Sequence, residues 1–166
     1  MLTNGEFEKP TKISDSYKSF RIAIKDPNKK WLNRTIPFLI SESFSAQNKS
    51  LIKRALTVFS KTCVKFESKT PKDSDYVYIT DGQGCNSPVG RQKGRQNLTL
   101  GEGCLNSNTI IHELMHSIGF FHEHQRYDRD KYLIIHKENI KRGLNSSQFL
   151  SNSSQFLSNS DQIFKT

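Results

Sequence analysis

Long apolar runs are missing from these 166 residues. No stretch approaches the ~18 consecutive apolar residues that a membrane-spanning helix needs, which excludes such a helix. Residues 1–30 hold no apolar run of seven or more, so no secretory leader is expected among them. Apolar residues make up only 34%, and the mean hydropathy is −0.66. Eleven phenylalanines partly offset that poverty, and the length suffices for one domain with a sizeable core. Methionine occurs only as Met1 and Met115, and no tyrosine follows Tyr132. Cysteine is sparse and odd in number: Cys63, Cys85 and Cys104 cannot all pair within the chain, and a fully reduced trio is one alternative. Long runs of one charge are absent too. The net charge of +9 comes from 18 basic and 10 acidic side chains up to residue 106, against 7 and 6 beyond it. Lysines and arginines stand singly or in pairs, which describes a solvated basic surface. No zinc-finger or RNA-binding motif supports nucleic-acid recognition.

What is present concentrates in His112-Glu113-Leu114-Met115-His116-Ser117-Ile118-Gly119-Phe120-Phe121-His122. Ile110, Ile111, Leu114 and Ile118 recur at helical spacing, and Ser107 or Asn108 is placed to cap the start. His112 and His116 then lie on one face, about one turn apart. Two imidazoles at that spacing can reach one ion, and Glu113 beside them can hold and deprotonate a water on it. His122 decides the reading. A continued helix would carry it about 240° round from His116, to the wrong side. The helix has to stop between them, and Gly119 is where it can, because a residue without Cβ enters the left-handed conformation freely. Three neutral imidazoles and one open position describe a catalytic zinc site rather than a closed structural one. The plainer alternative is a pair of histidines on a wet helix face. Five residues at these offsets arise by chance in about one chain of this length in 10⁵.

From His112 to Tyr132 the chain reads H-E-L-M-H-S-I-G-F-F-H-E-H-Q-R-Y-D-R-D-K-Y, which resembles the active-site signature of the astacin family of zinc endopeptidases, in the metzincin clan. Trp31, Thr35-Ile36-Pro37-Phe38, Lys61-Thr62-Cys63, Gly84-Cys85-Asn86-Ser87 and Val89-Gly90-Arg91 resemble further landmarks of that family in order. The likeness covers residues 21–140. It implies an α+β fold: a metzincin-like upper lobe with a small twisted mixed sheet, a backing helix and a zinc-binding helix. It implies one Zn2+ held by His112, His116 and His122, with Glu113 as general base in peptide-bond hydrolysis. It pairs Cys85 with Cys104 and leaves Cys63 as a free thiol or the mark of a lost segment. It places a maturation cleavage after Arg21, with the new amino group turned in toward Glu123; an ordinary surface glutamate is the alternative. Arg126, Asp128 and Asp130 become a structural ion-pair cluster, against a solvated charge run.

The resemblance also lays an extended protein or peptide substrate along an edge strand at Asn97 to Leu100, where free N–H and C=O groups offer a template; a plain edge strand is the alternative. No nucleic acid or membrane is expected as a partner. The family is secreted, and Asn33-Arg34-Thr35, Asn48-Lys49-Ser50, Asn97-Leu98-Thr99, Asn145-Ser146-Ser147 and Asn152-Ser153-Ser154 have the form of glycosylation acceptors. The expectation is that this sequence begins downstream of a leader.

Periodicity predicts strands at 35–40, 63–68, 76–80 and 97–100, a helix at 45–62 and a glycine-rich loop over 81–94. Pro37 places the first strand near an edge or at a strand start. Residues 1–21 are expected to be a propeptide remnant or disordered, 22–143 the peptidase-like unit, and 144–166 a low-complexity tail. Asn145 to Ser151 reads N-S-S-Q-F-L-S and is repeated letter for letter over Asn152 to Ser158. The family's methionine-bearing turn and following tyrosine are not found there, so the lower lobe is expected to be incomplete. A catalytically impaired zinc-binding pseudoprotease or peptide-binding module is therefore the alternative to an endopeptidase.

Overall fold

A computed structural model describes residues 22–126, 128–132, 134–135 and 164–165. The expectations for residues 1–21 and for the repeated heptapeptides lie outside the described residues.

Five strands form one mixed sheet: Thr35–Ile40 (β1), Lys65–Ser68 (β2), Tyr76–Thr80 (β3), Cys85–Asn86 (β4) and Arg95–Leu100 (β5), in the order β2-β1-β3-β5-β4. β1, β2, β3 and β5 run parallel, and β4 runs antiparallel on the outside of β5. Alternation along each strand sorts its side chains between two faces. Ile36, Val77, Ile79, Leu98 and Leu100 are fully buried on the face that carries the helices. Ala46–Thr57 (α1) and Ser107–Ile118 (α2) supply the other half of the core through Ile52, Ala55, Leu56, Ile110 and Leu114. Burying apolar area of this kind contributes about 25 cal/mol per Å² and drives the two layers together. Among the described residues no helix is long and apolar enough to cross a membrane.

The structure corrects several boundaries. α1 ends at Thr57 and continues as a 3-10 turn, Val58–Lys61, so the expected helix to residue 62 is shorter and tighter at its end. Its N-cap is Ser45, whose hydroxyl accepts from the Asn48 N–H. The cap of α2 is Asn106, ahead of both expected candidates, Ser107 and Asn108; its Oδ1 accepts from the Thr109 N–H at 3.0 Å. β1 is an interior strand despite Pro37. The Phe38 carbonyl accepts from Lys69 beyond β2, so Pro37 turns its bonding side toward β3. The ladder with β3 starts only at Phe38, so the missing N–H removes no paired bond.

The expected substrate edge also changes. Among the described residues, Asn97 and Leu98 have a strand neighbour on one side only, β3, but Thr99 and Leu100 are paired on their other side by β4. The outermost strand at this end of the sheet is therefore Cys85–Asn86, inside the stretch read from sequence as loop. A disulfide between Cys85 and Cys104 ties that strand to the loop leading into α2. Cys63 is a free, exposed cysteine. Further along, Ile134–Ile135 (β6) pairs antiparallel with Phe164–Lys165 (β7).

Candidate metal centre

α2 presents His112 and His116 on successive turns of one face, while Ile110, Leu114 and Ser117 are buried. The helix then ends abruptly. Gly119 has φ +125°, its N–H donates to the carbonyls of Met115 and His116, and the Phe120 N–H donates to Met115 at 3.0 Å. Those crossed bonds form a Schellman closure, which consumes the last carbonyls of the helix and reverses the chain. His122 follows in extended conformation at the head of a 3-10 turn, Glu123–Gln125.

The reversal brings three imidazole Nε2 atoms to one point. Their separations are 3.0 Å for His112–His116, 3.1 Å for His116–His122 and 3.2 Å for His112–His122. Hydrogen bonding cannot explain such a triangle. Each nitrogen is either a donor or a bare lone pair, so among three mutual contacts at least one sets like against like. The His116 tautomer is fixed independently: its Nδ1 lies 2.7 Å from the Phe120 carbonyl, which only accepts, so Nδ1 carries the proton and Nε2 is a lone pair. A cation at the centre turns three repulsive lone pairs into three bonds. Ligands ~2.0–2.1 Å from a tetrahedral zinc sit about 3.3–3.4 Å apart, slightly wider than the 3.0–3.2 Å found here. The three histidines could hold one metal ion.

Glu113 is the second sign. It is 0% exposed, and neither carboxylate oxygen has a hydrogen-bond partner among the described residues. Burial alone pushes its carboxyl up to about 7. Burial likewise drives His112 down to about 4, with the His116 ring adding to it, and lowers His116 despite its bond to Phe120. Both imidazoles are therefore neutral at pH 7, as metal ligands must be. A buried carboxylate with no partner calls for an ion or a polar ligand close by.

Other predicted residues fall in two groups. Arg126 and Asp128 do come together, as a fork: Nε to Oδ1 at 2.9 Å and Nη2 to Oδ2 at 3.0 Å, with Asp128 6% exposed. Those guanidinium hydrogen bonds hold the Asp128 carboxyl below the usual carboxylate range. Asp130 stands apart from the fork and meets Arg129. Glu123, expected to receive an amino terminus, pairs with Arg126 at 2.7 Å; Arg21 lies outside the described residues.

Sequence reasoning missed the residues that fasten the end of α2. The Trp31 indole donates to the Ser117 carbonyl at 2.7 Å, the Gly90 N–H to His116 at 2.9 Å, and the Ile24 N–H to Gly119 at 2.7 Å. In the sequence, Trp31 and Gly90 stand out only as landmarks, with no task attached. Buried Gln96 holds the loop carrying Gly90: its amide donates to the Gly90 carbonyl, and its Oε1 accepts from the Gln92 N–H.

Comparison with known proteins agrees with this geometry. The sequence profile of the Astacin peptidase family matches residues 23–166. The match therefore runs on past residue 140, where the likeness seen in the sequence ended. Zinc metalloproteinase nas-8 of Steinernema carpocapsae is 49% identical over 113 residues, covering 68% of this chain and 27% of that protein. Astacin-like metalloprotease toxin 1 of Loxosceles intermedia is 46% identical over 126 residues, covering 74% of this chain and 47% of the toxin. This chain thus spans about a quarter of the length of the first and about half of the second. Among solved structures, high choriolytic enzyme 1, a hatching enzyme zinc-protease of the medaka Oryzias latipes, superposes with a TM-score of 0.69 at 35% identity, covering 78% of this chain and 68% of that one. The chain belongs to the astacin family of zinc metallopeptidases.

Proposed function

We propose that this chain is the catalytic part of a zinc-dependent endopeptidase, with residues 22–143 as its peptidase unit. The observation that carries the reading is the convergence of three Nε2 atoms at the helix that also carries a buried carboxylate with no partner among the described residues. His112, His116 and His122 would hold the ion. A zinc ion bound there supplies a Lewis acid that polarises the scissile carbonyl and acidifies a water. Glu113 acts as the general base. Its carboxyl, poised near neutrality by burial, takes a proton from the attacking water and gives it to the leaving amine nitrogen. Its burial keeps bulk water from the carboxylate between the two transfers.

The substrate is a protein or peptide in extended form. The outer edge formed by Cys85–Asn86 and the one-sided part of β5 at Asn97–Leu98 is suited to it, because among the described residues no strand pairs with the outer side of these main-chain groups. The Cys85–Cys104 disulfide supports an oxidising, secretory setting for the protein. Digestion of casein, with and without a chelator, tests the activity. We expect metal-dependent cleavage, and a Glu113→Gln variant that keeps zinc but loses about 10²–10⁴ in rate. Chelator-insensitive cleavage, or full activity in the variant, would contradict the assignment. Zinc binding without cleavage would leave a peptide-binding module.

A further inference from the structure

The segment just upstream of β1 touches the metal centre at its least secure point. Ala23 forms an isolated antiparallel bridge with Phe120. Its two neighbours complete the pairing: the Ile24 N–H donates to the Gly119 carbonyl at 2.7 Å, and the Phe121 N–H donates to the Ile22 carbonyl at 2.8 Å. Residues 119–121 are thereby paired, residue by residue, with 22–24, and the next residue is His122.

The Ile24 side chain does something the backbone bonds do not. A Cβ placed on Gly119 would lie 2.7 Å from Ile24 Cγ2; one placed on Gly90 would lie 2.7 Å from the Lys29 carbonyl oxygen and 3.2 Å from Ile24 Cδ1. Gly119, which ends α2, is thus cleared for Ile24, and the same isoleucine packs on Gly90, which is bonded to the His116 carbonyl and closed first by the Lys29 carbonyl. Its Cγ2 branch rests on the reversal and its Cδ1 arm on the neighbouring loop. Backbone without side chains is the easiest backbone to displace, so the wedge supplies the rigidity that the glycines lack.

We infer that Ile24 is a positioning residue for the metal centre: it holds the Gly119 reversal closed so that His122 meets the two helix-borne imidazoles. The inference rests on the zinc reading above and concerns this chain's own fastening of its third ligand. Residues that orient a ligand without touching the metal affect affinity by about 10–100-fold when replaced. Ile24→Ala removes both contacts. Ile24→Val keeps the Cγ2 branch over Gly119. Ile24→Leu keeps the volume but loses that branch.

The test is zinc affinity by chelator competition, paired with the visible spectrum of the cobalt-substituted protein and with melting of both zinc-free and zinc-loaded forms. Ile24→Ala should weaken zinc by about 10-fold and shift the cobalt spectrum, with Ile24→Leu moving the same way and Ile24→Val staying near the parent. A merely structural isoleucine would lower both melting temperatures equally and leave affinity and spectrum unchanged, and that result overturns the inference. Should Ile24→Ala fail to fold, the Val and Leu variants decide it alone. If the parent chain itself bound no zinc, the functional reading would fall and this inference with it. Parental binding with indifferent variants would sink only the inference.

Discussion

His112 and His116 stand on a helix whose other side carries Ile110 and Leu114, both fully buried against the sheet. His122 stands on a turn held by main-chain bonds to residues 22–24 and followed by the Arg126–Asp128 fork. The first pair is placed by apolar burial, which is non-directional and strong in sum. His122 is placed by individual bonds with narrow geometry and small net contributions of about 1 kcal/mol each. The candidate metal centre therefore draws on two kinds of stability, and the loop side is the one that should fail first.

That contrast can be broken most forcefully on the helix side. Leu114→Ala empties a site that is 0% exposed and should cost about 2–5 kcal/mol, a global loss visible as a lower denaturant midpoint. Asp128→Asn, by contrast, weakens only the fork. Hydrogen exchange should accelerate around residues 119–126 while the sheet amides stay protected. Equal effects from both substitutions would erase the distinction. Acid should act as Asp128→Asn does. The Asp128 carboxyl is depressed in the folded chain, so its contribution is present above the ordinary carboxylate range and is lost as the pH falls through its folded value.

A smaller effect sharpens the boundary between the two regions. Trp31→Phe keeps a large apolar ring but removes the N–H that satisfies the buried Ser117 carbonyl, at a cost of about 1–3 kcal/mol. Urea unfolding of the zinc-free protein measures it, and an unchanged midpoint would show that the carbonyl finds another donor.

The smallest effect is a pH slope in the metal-free chain. His112 is driven from 6.5 to about 4 on folding, so between those values the unfolded chain binds more protons and stability rises with pH. Glu113 is raised from 4.5 to about 7, so across that window the folded chain binds more protons and stability falls with pH. The two oppose each other in the parent. Glu113→Gln leaves the histidine contribution alone, and the melting temperature of the zinc-free variant should climb from pH 4 to 6.5 more steeply than that of the parent. Parallel slopes would contradict the burial of that carboxyl.

The same division decides what could be read from sequence. The proposed metal ligands, the proposed base and the helix stop lie within eleven consecutive residues, and local rules place them: a 3.6-residue period, and a residue without Cβ where the chain must turn. Strands β1 and β3 were legible for the same reason. Residues that clamp the helix end were not. Trp31 reaches Ser117 across 86 positions, and Ile24 meets Gly119 and Gly90 from a segment with no periodic signal. Cys85–Asn86 is too short for alternation to show, so the outer edge was assigned to its neighbour. Pro37 misled because the ladder it would have broken begins one residue later.

The central claim is that three imidazoles, one beyond the Gly119 reversal, bind a single ion. X-ray absorption at the zinc edge tests it most directly. The zinc-loaded chain should show three histidine nitrogens at ~2.0–2.1 Å, falling to two in His122→Ala. A parent spectrum with two histidines, or one unchanged by that substitution, would contradict it.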